Sequence, residues 1–281
     1  MSLEENINIA AQAISQADAL LISAGLGMGT DSGLPRFNNE ENYLESFEEW
    51  YKAGISYGLI TDPQSFHDSP EKIWAFYWHC LQTYKDTTPH EGFRQMLEIA
   101  NTKRGNYFVF TSNTDGLFQK AGFEETKIQE THGSMHHLQC AVPCSRNIWS
   151  ADLLKIDVNY QTYKAVAPLP LCQNCGAVAR PNILLFSDWY WNHHRTELQS
   201  TRMGRWIQGV HELGQKLVIL EIGAGNSVAD IRAKSSFLAE WYNVTLVRIN
   251  PKDNNVPPGH IPIALGAKEG IDLIYKAWKT E

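Results

Sequence analysis

The sequence has 281 residues, of which 43% are hydrophobic and 20% are charged, and its formal net charge is −7 at pH 7. A chain of this length and composition can bury a sizeable core as one large domain, or as one domain with a smaller insert. The mildly acidic charge argues against a protein that wraps nucleic acid, because such proteins bind phosphates through an excess of lysine and arginine.

The first residues, MSLEENINIAAQAISQ, lack the basic start and the apolar run of a secretory signal. No stretch approaches the roughly eighteen apolar residues that are needed to cross a bilayer. We therefore expect a cytoplasmic protein with no membrane partner and no nucleic-acid partner.

Apolar periodicity predicts an alternation of helices and strands along most of the chain. The strands have near-continuous apolar character, which is typical of a parallel sheet covered by helices on both faces. Between about 133 and 183 the periodicity breaks up. The predicted strands are 18–23, 106–112, 127–131, 216–223 and 243–250, and the predicted helices are 4–17, 40–53, 70–85, 89–100, 115–121, 228–240 and 267–279.

A glycine-rich stretch, GLGMGTDSGLPRFN (25–38), directly follows the first predicted strand. Such a turn can bring backbone N–H groups close to a pyrophosphate, but ordinary strand–helix connections also use glycine, and this loop alone favours neither. Polar or glycine-rich segments also follow other strands, at 111–116, 221–227 and 248–251. Because the carboxyl ends of parallel strands meet at one edge of the sheet, the four segments together favour a ligand-binding crevice there.

Four of the five cysteines form two close pairs, Cys140 with Cys144 and Cys172 with Cys175. Four thiolates suit tetrahedral zinc, and a site closed by four ligands is structural, because no position is left for a substrate. Buried free cysteines are the alternative interpretation of the pattern. The fifth, Cys80, stands alone in an aromatic-rich predicted helix, where we expect it in the core.

The motifs, in their order, resemble the sirtuin family of NAD-dependent protein-lysine deacylases, and the resemblance covers nearly the whole chain. The matching segments are GLGMG…SGLPRFN (25–38), TSNTD (111–115), HG (132–133), the four cysteines, RPNILLFSD (180–188), GAG (223–225) and IN (249–250).

The resemblance implies an α/β fold, in which a Rossmann-like parallel sheet with helices on both faces carries a small zinc-binding module. The Rossmann-like domain would comprise 1–132 and 184–281, with a helical insertion at about 39–88, and the zinc module would comprise 133–183. The active site would lie in the cleft between them.

In the family, the carbonyl oxygen of the acyl-lysine attacks the ribose carbon of NAD that carries nicotinamide, and a histidine then acts as general base on a ribose hydroxyl. His132 matches that histidine, and an imidazole suits the task near neutral pH. Without the resemblance, a structural hydrogen-bonding role for His132 would be favoured. Asn113 would be the second catalytic residue, since it would hold the nicotinamide ribose and help to place a water.

The resemblance further implies that Asp115 accepts the carboxamide N–H₂ of nicotinamide, although this residue could also cap the helix that follows it. The remaining residues would contact NAD along the crevice or would pair with an acyl-lysine peptide by strand addition. The full set for NAD is Gly25, Leu26, Gly27, Asp31, Pro35, Arg36, Phe37, Ser112, Asn113, Asp115, His132, Gly223, Ala224, Gly225, Asn226, Asn250 and Pro251. The set for the peptide is Ile183, Leu184, Phe186 and Ser187.

The sequence departs from the family at several cofactor contacts. Arg36-Phe37-Asn38 stands where the family has Asp-Phe-Arg, Ser112 replaces a glutamine, and Gly29 replaces a serine. The leading hypothesis is an NAD-dependent deacylase that releases nicotinamide and O-acyl-ADP-ribose. The altered loop keeps two alternatives open, an ADP-ribosyltransferase or NAD hydrolase, and a sensor that binds NAD or ADP-ribose without turnover.

Overall fold

The structure is a computed structural model, and it describes residues 2–226 and 229–281. The strands are β1 (Ala19–Ala24), β2 (Tyr107–Thr111), β3 (Ile128–Glu130), β4 (Gly133–Cys140), β5 (Ile148–Ser150), β6 (Val158–Asn159), β7 (Lys164–Ala165), β8 (Ala179–Ile183), β9 (Leu217–Ile222), β10 (Thr245–Ile249) and β11 (Ile261–Ile263). The helices are α1 (Leu3–Gln16), α2 (Gly27–Thr30), α3 (Glu40–Ser46), α4 (Glu48–Lys52), α5 (Tyr57–Thr61), α6 (Ser65–Asp68), α7 (Pro70–Asp86), α8 (Glu91–Asn101), α9 (Leu117–Lys120), α10 (His194–Glu212), α11 (Asp230–Trp241) and α12 (Ala267–Trp278).

The central sheet has six parallel strands in the order β11-β10-β9-β1-β2-β3. Alternate residues of β1 face opposite sides, so that Leu20 and Ile22 join one core cluster, with α1, α8 and α12, while Leu21 joins the other, with α10 and α11. Every residue of β1, β2 and β9 is buried. The prediction of a parallel sheet covered on both faces is therefore confirmed.

A second sheet, antiparallel in the order β5-β4-β8, lies in the stretch that showed no periodicity. Its first strand, β4, begins directly after His132, and β8 ends at Ile183. The division of the chain into a large domain and a zinc module stays a prediction.

Two helix predictions need correction, and a third falls partly outside the described residues. The predicted helix 40–53 is two helices, because the backbone leaves helical angles at Phe47, whose ring packs against Tyr43 and Phe76. The predicted helix 115–121 shrinks to α9, since Gly116 has a φ of 73°. The predicted helix 228–240 begins outside the described residues at Val228, and α11 starts at Asp230.

Most aromatic residues of α3 to α7 belong to the core, whereas Tyr51 is exposed. Tyr43, Trp50, Trp74 and Phe76 are all buried, and so is Cys80. Among the described residues, no helix is long and apolar enough to cross a membrane.

Candidate active site

The segment after β2 turns two polar side chains into the protein. The Thr111 hydroxyl donates to the Ala24 carbonyl at 2.9 Å and accepts from the backbone N–H of Asn113 at 3.0 Å, which ties this turn to β1. Asn113 and Asp115 are then only 9% and 7% exposed. Burial of two polar side chains at a strand end is unusual, and it marks the turn as a candidate site.

Asp115 is the residue of this turn whose pKa departs most from its usual value. Its burial raises the pKa of the carboxyl to about 6, although a hydrogen bond from the backbone N–H of Leu117 at 2.9 Å opposes the shift. The negative charge of Glu130 adds to the rise. Asp115 therefore does cap the start of α9, and it retains a second carboxylate oxygen, which lies 3.0 Å from where a Cβ of Gly29 would stand.

His132 lies at the end of the neighbouring strand, β3. The backbone N–H of Thr131 donates to the Thr111 carbonyl at 2.8 Å, so the ends of β2 and β3 run side by side. The imidazole Nε2 of His132 lies 2.9 Å from Oδ2 of Asp230, and the side chain of His132 is 21% exposed. The His132 carbonyl accepts the N–H of Leu184 at 2.9 Å. His132 therefore joins the central sheet to the segment after β8.

The glycines after β1 and β9 pack against each other. The Gly27 N–H donates to the Gly223 carbonyl at 3.0 Å, and a Cβ on Gly27 would lie 2.7 Å from the Gly223 Cα. Gly223 also has a φ of 63°, which favours glycine. A Cβ on Gly25 would lie 2.7 Å from the Ala224 Cα. The first reason for these glycines is thus close approach of two loops, which sets the backbone of the crevice.

The rest of the loop after α2 is anchored to other elements. The Asp31 carboxylate accepts the backbone N–H of Lys268 at 2.8 Å at the start of α12, and the Phe37 ring packs edge-on against Phe47 and Phe76. Pro35 is partly buried.

Two of the three residues that depart from the family in this loop, Arg36 and Asn38, face the helical insertion. The exposed Arg36 guanidinium lies 4.0 Å from the Glu45 carboxylate, and the side-chain oxygen of Asn38 accepts from the Asn42 amide at 2.7 Å. Ser112, a departure outside this loop, donates its backbone N–H to the Ala24 carbonyl at 3.2 Å.

The loops after β9 and β10 are joined by the buried side chain of Asn250. Its amide N–H donates to the Ala224 carbonyl at 3.0 Å, and its oxygen accepts the N–H groups of Lys252 and Asp253 at 2.9 and 2.8 Å. Asn226 donates its amide to the Asp253 carboxylate at 2.6 Å. Gly225 lies beside the same carboxylate, and Pro251 is exposed.

A buried ion pair lies beneath this end of the sheet. Glu221 of β9 is fully buried and accepts two hydrogen bonds from the Arg248 guanidinium of β10, at 2.5 and 2.9 Å. Arg248 also donates to the Asn255 carbonyl at 2.5 Å, and Arg232 donates to the Asp253 carbonyl at 2.5 Å. The two arginines hold the loop after β10 through its backbone.

The segment after β8 is held by another buried ion pair. Arg180 and Asp188 are both fully buried as side chains, and the Asp188 carboxylate also accepts the N–H groups of Leu185 and Tyr190 at 3.2 and 3.1 Å. Between Leu185 and Tyr190, the chain carries the side chains of Phe186 and Trp189, which are 59% and 91% exposed.

The four residues predicted to bind a peptide span this junction. Ile183 is buried and pairs with Gly133 of β4, whereas Leu184 and Phe186 are exposed, and Ser187 has a φ of 51°. Because β8 is an edge strand of its sheet, one side of it has no strand neighbour among the described residues.

The four paired cysteines meet in space. All four Sγ atoms lie within 4.8 Å of one another, and the shortest separations, Cys140 to Cys175 and Cys144 to Cys172, are both 3.6 Å. Tetrahedral zinc with bonds of about 2.3 Å places its sulfurs about 3.8 Å apart, so this cluster fits zinc.

A model of the Sir2 family matches residues 25–204, which is more than half of the chain. The chain belongs to the Sir2 family. The resemblance to sirtuins is thus confirmed.

Relatives of this Sir2 protein carry two kinds of name. It is 23% identical over 274 residues to an NAD-dependent protein deacylase of Thermus thermophilus, covering 96% of this chain and 94% of the relative. It is 26% identical over 251 residues to a probable bifunctional ADP-ribose hydrolase/ADP-ribosyltransferase of Fusarium oxysporum f. sp. cubense, covering 86% of this chain and 40% of the relative. Its fold matches a Sir2 homologue in complex with NAD with a TM-score of 0.65, at 19% identity, covering 96% and 93% of the two chains.

Several residues of this Sir2-family site were not singled out from the sequence. The acid at the end of LVILEI (217–222) and the arginine within TLVRI (245–249) interrupt otherwise apolar strands, and this interruption was a signal for the Glu221–Arg248 pair. Asp230 gave no comparable signal, since an acid at the start of a helix is common. Its contact with His132 joins positions 98 residues apart in the chain.

Proposed function

We propose that this protein is an NAD-dependent protein-lysine deacylase, which moves the acyl group of a modified lysine onto ADP-ribose and releases nicotinamide. The observation that carries the proposal is that Asn113 and Asp115 are buried directly after β2, while His132 follows the adjacent strand β3, whose end is hydrogen-bonded to the end of β2. The similarity to the Thermus deacylase over 96% of the chain supports the same activity.

NAD, when bound, would supply a ribose carbon that can lose nicotinamide. Asp115 would accept the nicotinamide carboxamide N–H₂ through the carboxylate oxygen that does not cap α9. Asn113 would hold the nicotinamide ribose. His132 would remove a proton from a ribose hydroxyl, as a general base whose ring is held at the junction of the two sheets.

The loops after β1, β9 and β10 would hold the remainder of NAD. Because Gly25, Gly27 and Gly223 pack the loops after β1 and β9 against each other, the backbone of these two loops is set before a ligand arrives. The proposed contacts in these loops, besides the three glycines, are Leu26, Asp31, Pro35, Arg36, Phe37, Ser112, Ala224, Gly225, Asn226, Asn250 and Pro251.

The protein substrate would add its acyl-lysine segment as a strand beside Ile183 to Ser187. The Arg180–Asp188 pair supports this role, since it holds that backbone rigid while the side chains of Leu184 and Phe186 stay exposed. We propose that the cysteine cluster binds a structural zinc ion that stabilises 133–183. A cytoplasmic location is supported by the five cysteines, none of which forms a disulfide in the structure, because disulfides are rare in reducing compartments.

A second candidate function is ADP-ribosyl transfer. It is favoured by the Fusarium relative and by the positions of Arg36 and Asn38, whose side chains contact the helical insertion. In this case nicotinamide would be released without loss of acyl groups from the peptide.

The test is to incubate the protein with NAD and an acetyl-lysine peptide, and to follow nicotinamide, the deacylated peptide and O-acetyl-ADP-ribose together. We expect equal amounts of all three, and we expect His132→Ala to lower the rate about 100-fold or more, as loss of a general base does. His67→Ala, which alters an exposed histidine of α6, is the matched control. Nicotinamide release with an unchanged peptide would favour ADP-ribosyl transfer or hydrolysis, and NAD binding without release would favour the sensor.

A further inference from the structure

Asp230 contacts His132 although the strands that precede these two residues are not neighbours in the central sheet. It is the first residue of α11, which follows β9, whereas His132 follows β3, and β1 and β2 lie between those strands. The carboxylate Oδ2 nevertheless lies 2.9 Å from the imidazole Nε2. A hydrogen bond at this distance favours one orientation of the imidazole ring.

From this contact we infer that Asp230 is the positioning residue of His132, an inference that rests on the deacylase function proposed above. In the neutral imidazole, only one nitrogen carries a proton. A carboxylate at Nε2 favours the tautomer with the proton on Nε2, which leaves the lone pair on Nδ1. Asp230 thereby makes Nδ1 the atom that accepts a proton.

The proton balance of the step is simple. After the acyl oxygen has bonded to the ribose carbon, the ribose hydroxyl loses its proton to Nδ1 as its oxygen forms the new bond to the acyl carbon. The electron pair of the double bond between the acyl carbon and the lysine nitrogen moves onto that nitrogen, and the ring of His132 becomes an imidazolium. The Asp230 carboxylate then faces the positive ring that forms, and it stabilises that state without itself taking the proton. In this inference the effect of Asp230 on the reaction passes through His132, the side chain that its carboxylate contacts.

The contact between Asp230 and His132 should contribute little to the stability of the fold. The Asp230 side chain is 63% exposed, and ion pairs between exposed groups contribute little to stability. Asp230 and Thr131 also border a cavity of about 470 Å³ between α10 and α11, so water reaches this region. Replacement of Asp230 should therefore leave the core intact, which makes its role in the reaction measurable.

Two reactions separate a positioning role from a structural one. Exchange of labelled nicotinamide into NAD, in the presence of the acetyl peptide, requires attack of the acyl oxygen on ribose but no proton transfer to His132. Formation of the deacylated peptide requires both. We expect Asp230→Ala to lower product formation about tenfold or more, as loss of part of general-base catalysis does, and to leave exchange within about twofold of wild type.

In Asp230→Asn, the rate of product formation should lie between those of wild type and Asp230→Ala, because the amide oxygen still accepts a hydrogen bond from Nε2–H. Glu240→Gln, an exposed acid near the other end of α11, should leave both reactions unchanged. Equal loss of both reactions in Asp230→Ala, or no loss, would overturn the inference. A gain in product formation would also overturn it, because the contact would then restrain His132.

The tautomer itself gives a readout that does not need activity. In ¹⁵N-labelled protein, the His132 ring, identified by comparison with His132→Ala, should carry its proton on Nε2, and Asp230→Ala should shift the ring toward a mixture. A proton on Nδ1 in wild type, or an unchanged spectrum in the variant, contradicts the inference. If wild type shows this tautomer but no peptide-dependent nicotinamide release, the deacylase proposal fails while the role of Asp230 toward the ring stands.

Discussion

At the β2/β3 end of the crevice, Asp115 is buried beside a like charge, Glu130, and its pKa is raised to about 6. At the β9/β10 end, Glu221 is buried against Arg248, and both arginines there bind backbone carbonyls of the loop. The first end holds a carboxylate in an unfavourable setting, which a purely structural site would avoid. The second end pairs its buried carboxylate with an arginine and uses two arginines to fix a loop.

The largest effect that this comparison predicts is at the β9/β10 end. Arg248→Met should lower the free energy of unfolding by about 3–5 kcal/mol, because it leaves the Glu221 carboxylate buried without its partner. Urea unfolding measures the loss. The double variant Glu221→Leu/Arg248→Met should recover most of it, since an apolar pair replaces a buried ion pair with little cost.

The matched control for that experiment is the exposed pair Arg104–Asp18. The Arg104 side chain is 85% exposed, so Arg104→Met should change the stability by less than about 1 kcal/mol. If Arg248→Met changed the stability no more than the control did, the charges beneath β9 and β10 would not hold this end together.

At the β2/β3 end, replacement of the buried charge should raise the free energy of unfolding, whereas at the β9/β10 end it should lower it. The pKa of Asp115 is higher in the folded protein than in the unfolded chain, so the folded state retains the proton longer, and stability falls as the pH rises from about 4 to 6. Asp115→Asn removes this penalty. It should raise the free energy of unfolding at pH 7.5 by up to about 3 kcal/mol, and by little below pH 4.

The same variant should lose most of its peptide-dependent nicotinamide release, because a neutral amide oxygen accepts the carboxamide N–H₂ more weakly than a carboxylate does. Unfolding followed at several pH values, together with the nicotinamide assay, checks both effects. Asp68→Asn is the control, since a hydrogen bond from His67 lowers the pKa of that carboxyl, and no gain in stability is expected. A variant of Asp115 that is less stable at pH 7.5 would refute the idea that this end holds an unfavourable charge.

The comparison also explains what the sequence could predict. The apolar runs of β1, β2 and β9 announce a parallel sheet, because burial on both faces requires continuous apolar residues. The helix α10 has 19 residues, and its buried apolar residues are only Met203, Ile207 and Val210. Because this apolar stripe is so sparse, the predicted elements do not include the helix. Its spacing of four and three residues was nonetheless a usable signal.

Contacts between distant segments were beyond the reach of sequence patterns. The packing of Gly27 against Gly223, and the contact of His132 with Asp230, depend on the order of strands in the sheet, which local periodicity does not encode. The charges of Glu221 and Arg248 were visible as interruptions, but their pairing follows only from the adjacency of β9 and β10.

The smallest effect predicted is at Asn250, which ties the loops after β9 and β10 through three hydrogen bonds to backbone groups. Asn250→Ala should weaken binding of ADP-ribose about 5- to 10-fold, roughly 1–1.4 kcal/mol, because the loops lose their fixed separation. Calorimetry with ADP-ribose gives this value, and Asn101→Ala, at the opposite edge of the sheet, is the control. Inhibition by free nicotinamide should not change, since that ring would bind at the β2/β3 end. An equal weakening of nicotinamide inhibition would mean that the two ends do not act separately, and the contrast between them would then describe packing alone.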